Sequence, residues 1–70
     1  MRYLIVLEPT ATGFSAYSPD LPGCAATGPT QPDVEAKMRD AIQFHLEGLR
    51  EEGIPVPPGQ SIATYVEVAA

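Results

Sequence analysis

The sequence is poor in the residues that staple small domains together. It has one cysteine, Cys24, and one histidine, His45. A lone cysteine excludes an internal disulfide, and a structural zinc site needs about four Cys or His ligands. Basic residues are also scarce. Arg2, Lys37, Arg39 and Arg50 stand against nine Asp and Glu, for a net charge of -5, and no two of the four are adjacent. Nucleic-acid binders neutralise phosphates with a basic stripe, so direct binding of DNA or RNA is not expected. Long apolar runs are missing too. The run Tyr3–Leu7 is cut by Glu8-Pro9 and is too short for a signal-peptide core. Nothing approaches the ~20 apolar residues of a membrane helix. One unpaired cysteine suits a reducing compartment, and the expectation is a cytoplasmic protein with no membrane contact. No internal repeat or low-complexity tract is present.

What remains is a chain of 70 residues, read as one domain over 1–70. A domain this small buries only about 60% of the surface its unfolded chain exposes. With neither disulfide nor metal to support a thin core, association with another chain is expected, as a homodimer or homotetramer. An acidic surface fits a basic partner, because complementary charge speeds the encounter. It also simply keeps a small protein soluble, so charge alone does not choose.

The pattern along the chain is that of an α+β domain: a small antiparallel sheet with one helix on one face. Tyr3–Leu7 reads as a strand covered on both faces. Glu8–Gly13 is turn-like, and Phe14–Tyr17 alternates as the second strand of a hairpin. Ser18–Gly23 is a shaped loop, since each proline removes a ladder donor. Cys24–Thr27 is a short third strand, closed by Gly28-Pro29. Thr30 then offers an N-cap hydroxyl with Asp33 three residues later, and Pro32 sits in the first turn, where its missing N–H is harmless. Val34, Met38, Ala41, Ile42, His45 and Leu49 recur at three- and four-residue steps as one apolar stripe. Arg39, Gln43, Glu47 and Arg50 fall opposite. Gly53 is the stop, and Gly48, close to the stripe, is expected to let helix and sheet approach. Ile54–Gly59 is a stiff connector. Ser61–Val68 alternates as a last strand, with Ile62, Thr64, Val66 and Val68 on one face. The expected order is β-β-β-α-β.

Several residues invite a functional reading. Glu8, Asp20 and Glu67 are the strand-borne carboxylates a two-metal nuclease would need, converging on ions about 4 Å apart. They lie at strand ends, in loops or near the C-terminus, and a solvated acidic surface accounts for them. Cys24 and His45 are a nominal nucleophile and base. Cysteine is commonly buried as a small hydrophobe, and His45 lies within the apolar stripe, where a half-buried core histidine is expected. No catalytic, metal or cofactor residues are assigned. Pro19–Gly23 is the most function-like segment. Two prolines stiffen it, so little entropy is lost on docking, with Asp20 an acidic tip and Leu21 an apolar one. A structural turn, with Asp20 bonding its own loop backbone, explains it equally well. Tyr17 reads as cross-strand packing, Tyr65 as packing or an interface anchor.

The stretch Tyr17-Ser18-Pro19-Asp20-Leu21-Pro22-Gly23-Cys24 resembles the strand-to-loop signature of the HicB antitoxin family. So do Gly28 and Thr30, the helix segment Ala41–Leu49, and Glu52-Gly53-Ile54-Pro55-Val56-Pro57, which is similar to the family's Gly-x-Pro-x-Pro connector. The final segment Ile62–Val68 also fits, so the resemblance covers nearly the whole chain. It implies a partial ribonuclease-H-like fold. It further implies that the chain neutralises a HicA-type toxin, a small basic mRNA-cleaving ribonuclease, by covering its surface. His45 departs from relatives, which commonly carry an aromatic there. Many relatives also carry a C-terminal DNA-binding domain, for which the sequence to Ala70 shows no counterpart. Partner contact is expected from Asp20, Leu21, Glu47 and Glu51. The rival expectation is an orphan homo-oligomeric scaffold without a toxin. A residual metal-dependent nuclease is the third.

Overall fold

The computed structural model describes residues 1–69. Three strands form one antiparallel sheet in the order β1-β2-β3: β1 Val6–Thr10, β2 Gly13–Tyr17 and β3 Ala25–Gly28. The helix α1, Gln31–Glu51, packs on one face against β2 and β3. The α+β class and the helix-on-sheet arrangement are those expected from the sequence. Two elements differ.

The first strand begins at Val6 rather than Tyr3 and runs on through Pro9. The hairpin sets this register: Thr10 pairs Gly13 across the two residues Ala11 and Thr12, and Val6 pairs Tyr17, the last residue of β2. Residues 3–5 therefore have no partner strand in this sheet, and Tyr3–Leu7 is half-buried rather than covered on both faces. Pro9 is tolerated because β1 is an edge strand, where an absent N–H breaks no ladder. The expected fourth strand, Ser61–Val68, is also not formed. No helix or strand is assigned from Ile54 to Ala69. Ile62, Tyr65, Val66 and Val68 are each at least 80% exposed. Period-two alternation states which side chains share a face, but a strand also needs a neighbouring edge. The result is an elongated molecule, 49 Å in its longest extent, with a radius of gyration of 13.9 Å against about 11 Å for a compact chain of this length.

The helix ends follow the sequence closely. Thr30 is in extended conformation, and its Oγ1 accepts from the Asp33 amide at 3.3 Å. At the other end Gly53 takes φ +69°, its N–H donates to Arg50 O, and the Ile54 N–H donates to Leu49 O at 2.9 Å. These two bonds are the Schellman closure, which needs a residue at ease with positive φ. Alternation places Leu7, Ala16 and Ala26, which face each other across the three strands, on the helix side. The buried core is Ala16, Leu21, Cys24, Val34, Met38 and Leu46, with Leu21, Met38 and Val34 fully buried. Burying one such side chain contributes about 1.5–3 kcal/mol, so three of them make a thin core. Leu46, four residues on from Ile42, completes the helix's apolar stripe. Gly48 has nothing within 4 Å of where a Cβ would stand, so it does not mediate a close approach to the sheet.

Candidate functional site

The loop after β2 is built from two overlapping turns. The Leu21 N–H donates to Ser18 O at 3.2 Å, and the Cys24 N–H donates to Leu21 O at 3.1 Å. Each turn has proline at its second position, Pro19 and then Pro22, where the ring pre-sets φ. The second has Gly23 next, at φ +86°, which is the type II pattern. The Ser18 N–H closes the loop onto Cys24 O, and Ser18 Oγ donates to Leu4 O at 3.0 Å. This geometry turns Leu21 inward, fully buried at the core. The expected apolar tip is thus a core anchor, and it is not on the surface.

Asp20 also faces its own chain. Its Oδ2 accepts from the Gln60 and Ser61 amides at 3.1 and 3.0 Å, and its Oδ1 accepts from Ser61 Oγ at 2.8 Å. It does not bond its own loop, as a simple turn role would require. It fixes the root of the segment that follows the proline-rich connector. The Tyr3 hydroxyl adds a second tie, donating to Pro57 O at 2.5 Å. The bonds from the Ser61 amide and hydroxyl hold the Asp20 carboxyl below its ordinary 3.8. A carboxylate whose folded pKa is depressed contributes stability above its unfolded pKa and loses it as pH falls through the folded value. The tie is therefore complete at neutral pH and is released only below about pH 3.8. In Asp20→Ala, amide hydrogen exchange at Gln60 and Ser61 is expected to accelerate while the helix amides keep their protection. Unchanged exchange at those two positions would show that the tie is not formed in solution.

Glu47 and Glu51 are exposed on the helix, four residues apart. At 3.6 residues per turn they share a face with Asp40 and with Phe44. Phe44 is 79% exposed, a large aromatic in the middle of an acidic stripe. It is not among the contact residues expected from the sequence. The signal was present, since Phe44 falls off the apolar stripe through Val34, Met38 and Ile42. Beside it runs a shallow groove of about 410 Å³ between the start of β3 and the last turns of α1. Cys24 and His45 line this groove, and Phe44 and Glu52 stand at it. Burial pushes the Cys24 thiol above its ordinary value, which keeps it protonated at neutral pH. A protonated buried thiol is a poor nucleophile.

The four expected contact residues thus separate. Glu47 and Glu51 lie together on the outer face of the helix, Asp20 ties down the connector, and Leu21 is in the core. Glu8 lies on β1 and Glu67 on the exposed segment after Ser61. Among the described residues no three of His, Cys, Asp and Glu gather closely enough to hold a metal ion, and no helix is long and apolar enough to cross a membrane.

Residues 3–69 match the family described as HicB_like antitoxin of bacterial toxin-antitoxin system. An uncharacterized 14.9 kDa protein of the rep-hol intergenic region of Haemophilus phage HP1 is 33% identical over 66 residues, which is 94% of this chain and 50% of the phage protein. The chain thus spans half the length of that curated relative. A chain from a solved HicA3 and HicB3 toxin-antitoxin complex aligns with a TM-score of 0.71 at 37% identity, over 84% of this chain and 70% of that one.

Proposed function

The chain belongs to the HicB-like antitoxin family of bacterial toxin-antitoxin systems, and on that premise we propose that it binds a small basic HicA-type toxin and masks the surface with which that toxin cleaves mRNA. Masking is steric and electrostatic and involves no turnover. It takes place in the cytoplasm, and the chain acts there as one module in a homodimer or homotetramer. The similarity to a chain of a HicA3 and HicB3 complex supports the choice of partner.

The observation that carries this reading is the helix stripe of Asp40, Phe44, Glu47 and Glu51. Six of the nine acidic residues lie on or directly after the helix, at Asp33, Glu35, Asp40, Glu47, Glu51 and Glu52, and all six are exposed. A basic partner is drawn to that face, and Phe44 supplies the apolar anchor that charge alone lacks. Aromatic anchors at the centre of an interface dominate binding energy, while rim charges act mainly on the association rate. Asp20 and Leu21 serve this surface indirectly, by holding the fold that presents it.

Two variants test the surface against the toxin. Phe44→Ala removes an anchor of the kind worth about 2 kcal/mol or more, which is a loss of about 30-fold in affinity. The double reversal Glu47→Lys, Glu51→Lys slows association and flattens its dependence on salt. Calorimetry and stopped-flow mixing read the two effects. Wild-type affinity in both variants would remove the stripe from the interface.

A further inference from the structure

We propose that the segment Ser61–Ala69 is a pairing arm, which forms an antiparallel two-stranded ribbon with the same segment of a second copy of this chain. The inference rests on the homo-oligomer part of the reading above and assigns the surface through which the copies meet.

From Ile62 on the segment has the sequence of a strand and, among the described residues, no partner strand. Ile62, Tyr65, Val66 and Val68 are 90%, 98%, 80% and 81% exposed. Ile62, Thr64, Val66 and Val68 share one face by alternation. Placed in water alone, such a strand leaves both its apolar face and its backbone groups without protein partners, a state that invites pairing with another chain.

Charge selects the occupant. From Ser61 to Ala69 the only charged residue is Glu67. The acidic residues that would draw a basic protein lie on the helix, so the arm is not where electrostatic attraction to such a partner acts. It is instead a part of a chain of net charge -5 where two copies meet with little repulsion. The arm is also complementary to itself. With two antiparallel copies centred on Tyr65, Ile62 faces Val68 and Thr64 faces Val66, so the apolar faces coincide. On the other face Tyr65 meets its own copy, and Glu67 lies opposite Ala63 rather than opposite another glutamate. Aromatic and β-branched cross-strand pairs of this kind are what stabilise antiparallel sheets.

An isolated two-stranded ribbon is marginal in water. Here each strand is attached to a folded body at a fixed root, because Asp20 accepts from the Gln60 and Ser61 amides and from the Ser61 hydroxyl. A preset root lowers the ordering entropy lost on pairing. Asp20, read from the sequence as a contact residue, thus aims the arm.

Sedimentation of the full chain and of Val66→Pro tests the proposal. Val66 is outside the core, so the variant keeps the far-ultraviolet circular dichroism of the body. Proline there removes an N–H and interrupts the ribbon. The expected result is a wild type at an even multiple of the chain mass and a Val66→Pro variant at half that value. Register is read by oxidising two single-cysteine additions. Tyr65→Cys crosslinks two copies, since residues facing across a two-fold axis lie within disulfide reach, and Ala63→Cys does not. A wild type that sediments at the single-chain mass overturns both the arm and the homo-oligomer reading. A Val66→Pro variant that keeps the wild-type mass overturns the arm alone.

Discussion

Leu21→Ala is expected to lower the stability of the domain by about 2–5 kcal/mol, the range for truncating a buried leucine. Leu21 comes from a loop, yet it is one of three fully buried side chains in this core. Two hydrogen-bonded turns, from Leu21 N to Ser18 O and from Cys24 N to Leu21 O, fix its direction. The backbone therefore cannot follow a shorter side chain inward, and the cavity remains. Small domains have total stabilities near the low end of roughly 5–15 kcal/mol, so the loss is a large fraction of the whole. In a domain of this size each kcal/mol moves the melting temperature by about 4–8 °C, so Leu21→Ala melts at least about 8 °C below wild type. Leu21→Met, which keeps the volume, costs less than about 1.5 kcal/mol. Equal melting temperatures for Leu21→Ala and wild type would place Leu21 at the surface, where it would again be a candidate for partner contact.

The second large effect concerns two glycines with opposite outcomes. A Cβ on Gly13 would overlap the Gly28 carbonyl oxygen and lie 2.7 Å from Pro29 Cα. Both are backbone atoms, so no flexible side chain can move aside. Gly13 closes the β1–β2 hairpin, and Gly28 ends β3, so the displacement reaches the whole sheet. Gly13→Ala is expected to destabilise by at least the ~1–3 kcal/mol typical of overpacking. Gly48→Ala meets open space inside the helix and is expected to stabilise by roughly 0.5–1 kcal/mol from helix propensity. Chemical denaturation of the two variants beside wild type reads both signs. A Gly48→Ala change in the unfavourable direction would mean that the helix end is packed against something.

Much of this fold could be read from local chemistry. Thr30 with Asp33, Gly53 with its following prolines, and the three- and four-residue steps from Val34 to Leu49 mark the helix, because each requirement is met within a few residues. Pro22-Gly23 marks the type II turn for the same reason. The misreadings lie where the deciding partner is distant in sequence. Leu21 reads as a tip until Ser18 and Cys24 close the loop beneath it. Asp20 reads as a partner contact because its acceptor role is met forty residues later, at Gln60 and Ser61. Tyr3–Leu7 reads as a strand from composition, but the register of a five-residue partner leaves Tyr3 to Ile5 outside the sheet. Ser61–Val68 has the alternation of a strand, and alternation carries no information on which edge it joins. Of the candidate surface, Glu47 and Glu51 were legible as the outer helix face, and Phe44 was legible only by its absence from the apolar stripe.

Structure and function are joined by the division of charge within one small chain. The helix carries the acidic stripe and Phe44 outward, the loop anchored by Leu21 holds the helix to the sheet, and Asp20 holds the root of an arm whose only charge is Glu67. In the proposed account a basic toxin and a second copy of the chain meet separate surfaces. The most direct test is to titrate the RNA cleavage of a purified HicA-type toxin with increasing amounts of this chain. The expected result is cleavage that falls linearly to zero at a fixed stoichiometric ratio, with Phe44→Ala shifting the curve to higher protein. Cleavage that continues undiminished in a large excess of the folded chain would contradict toxin masking as its function.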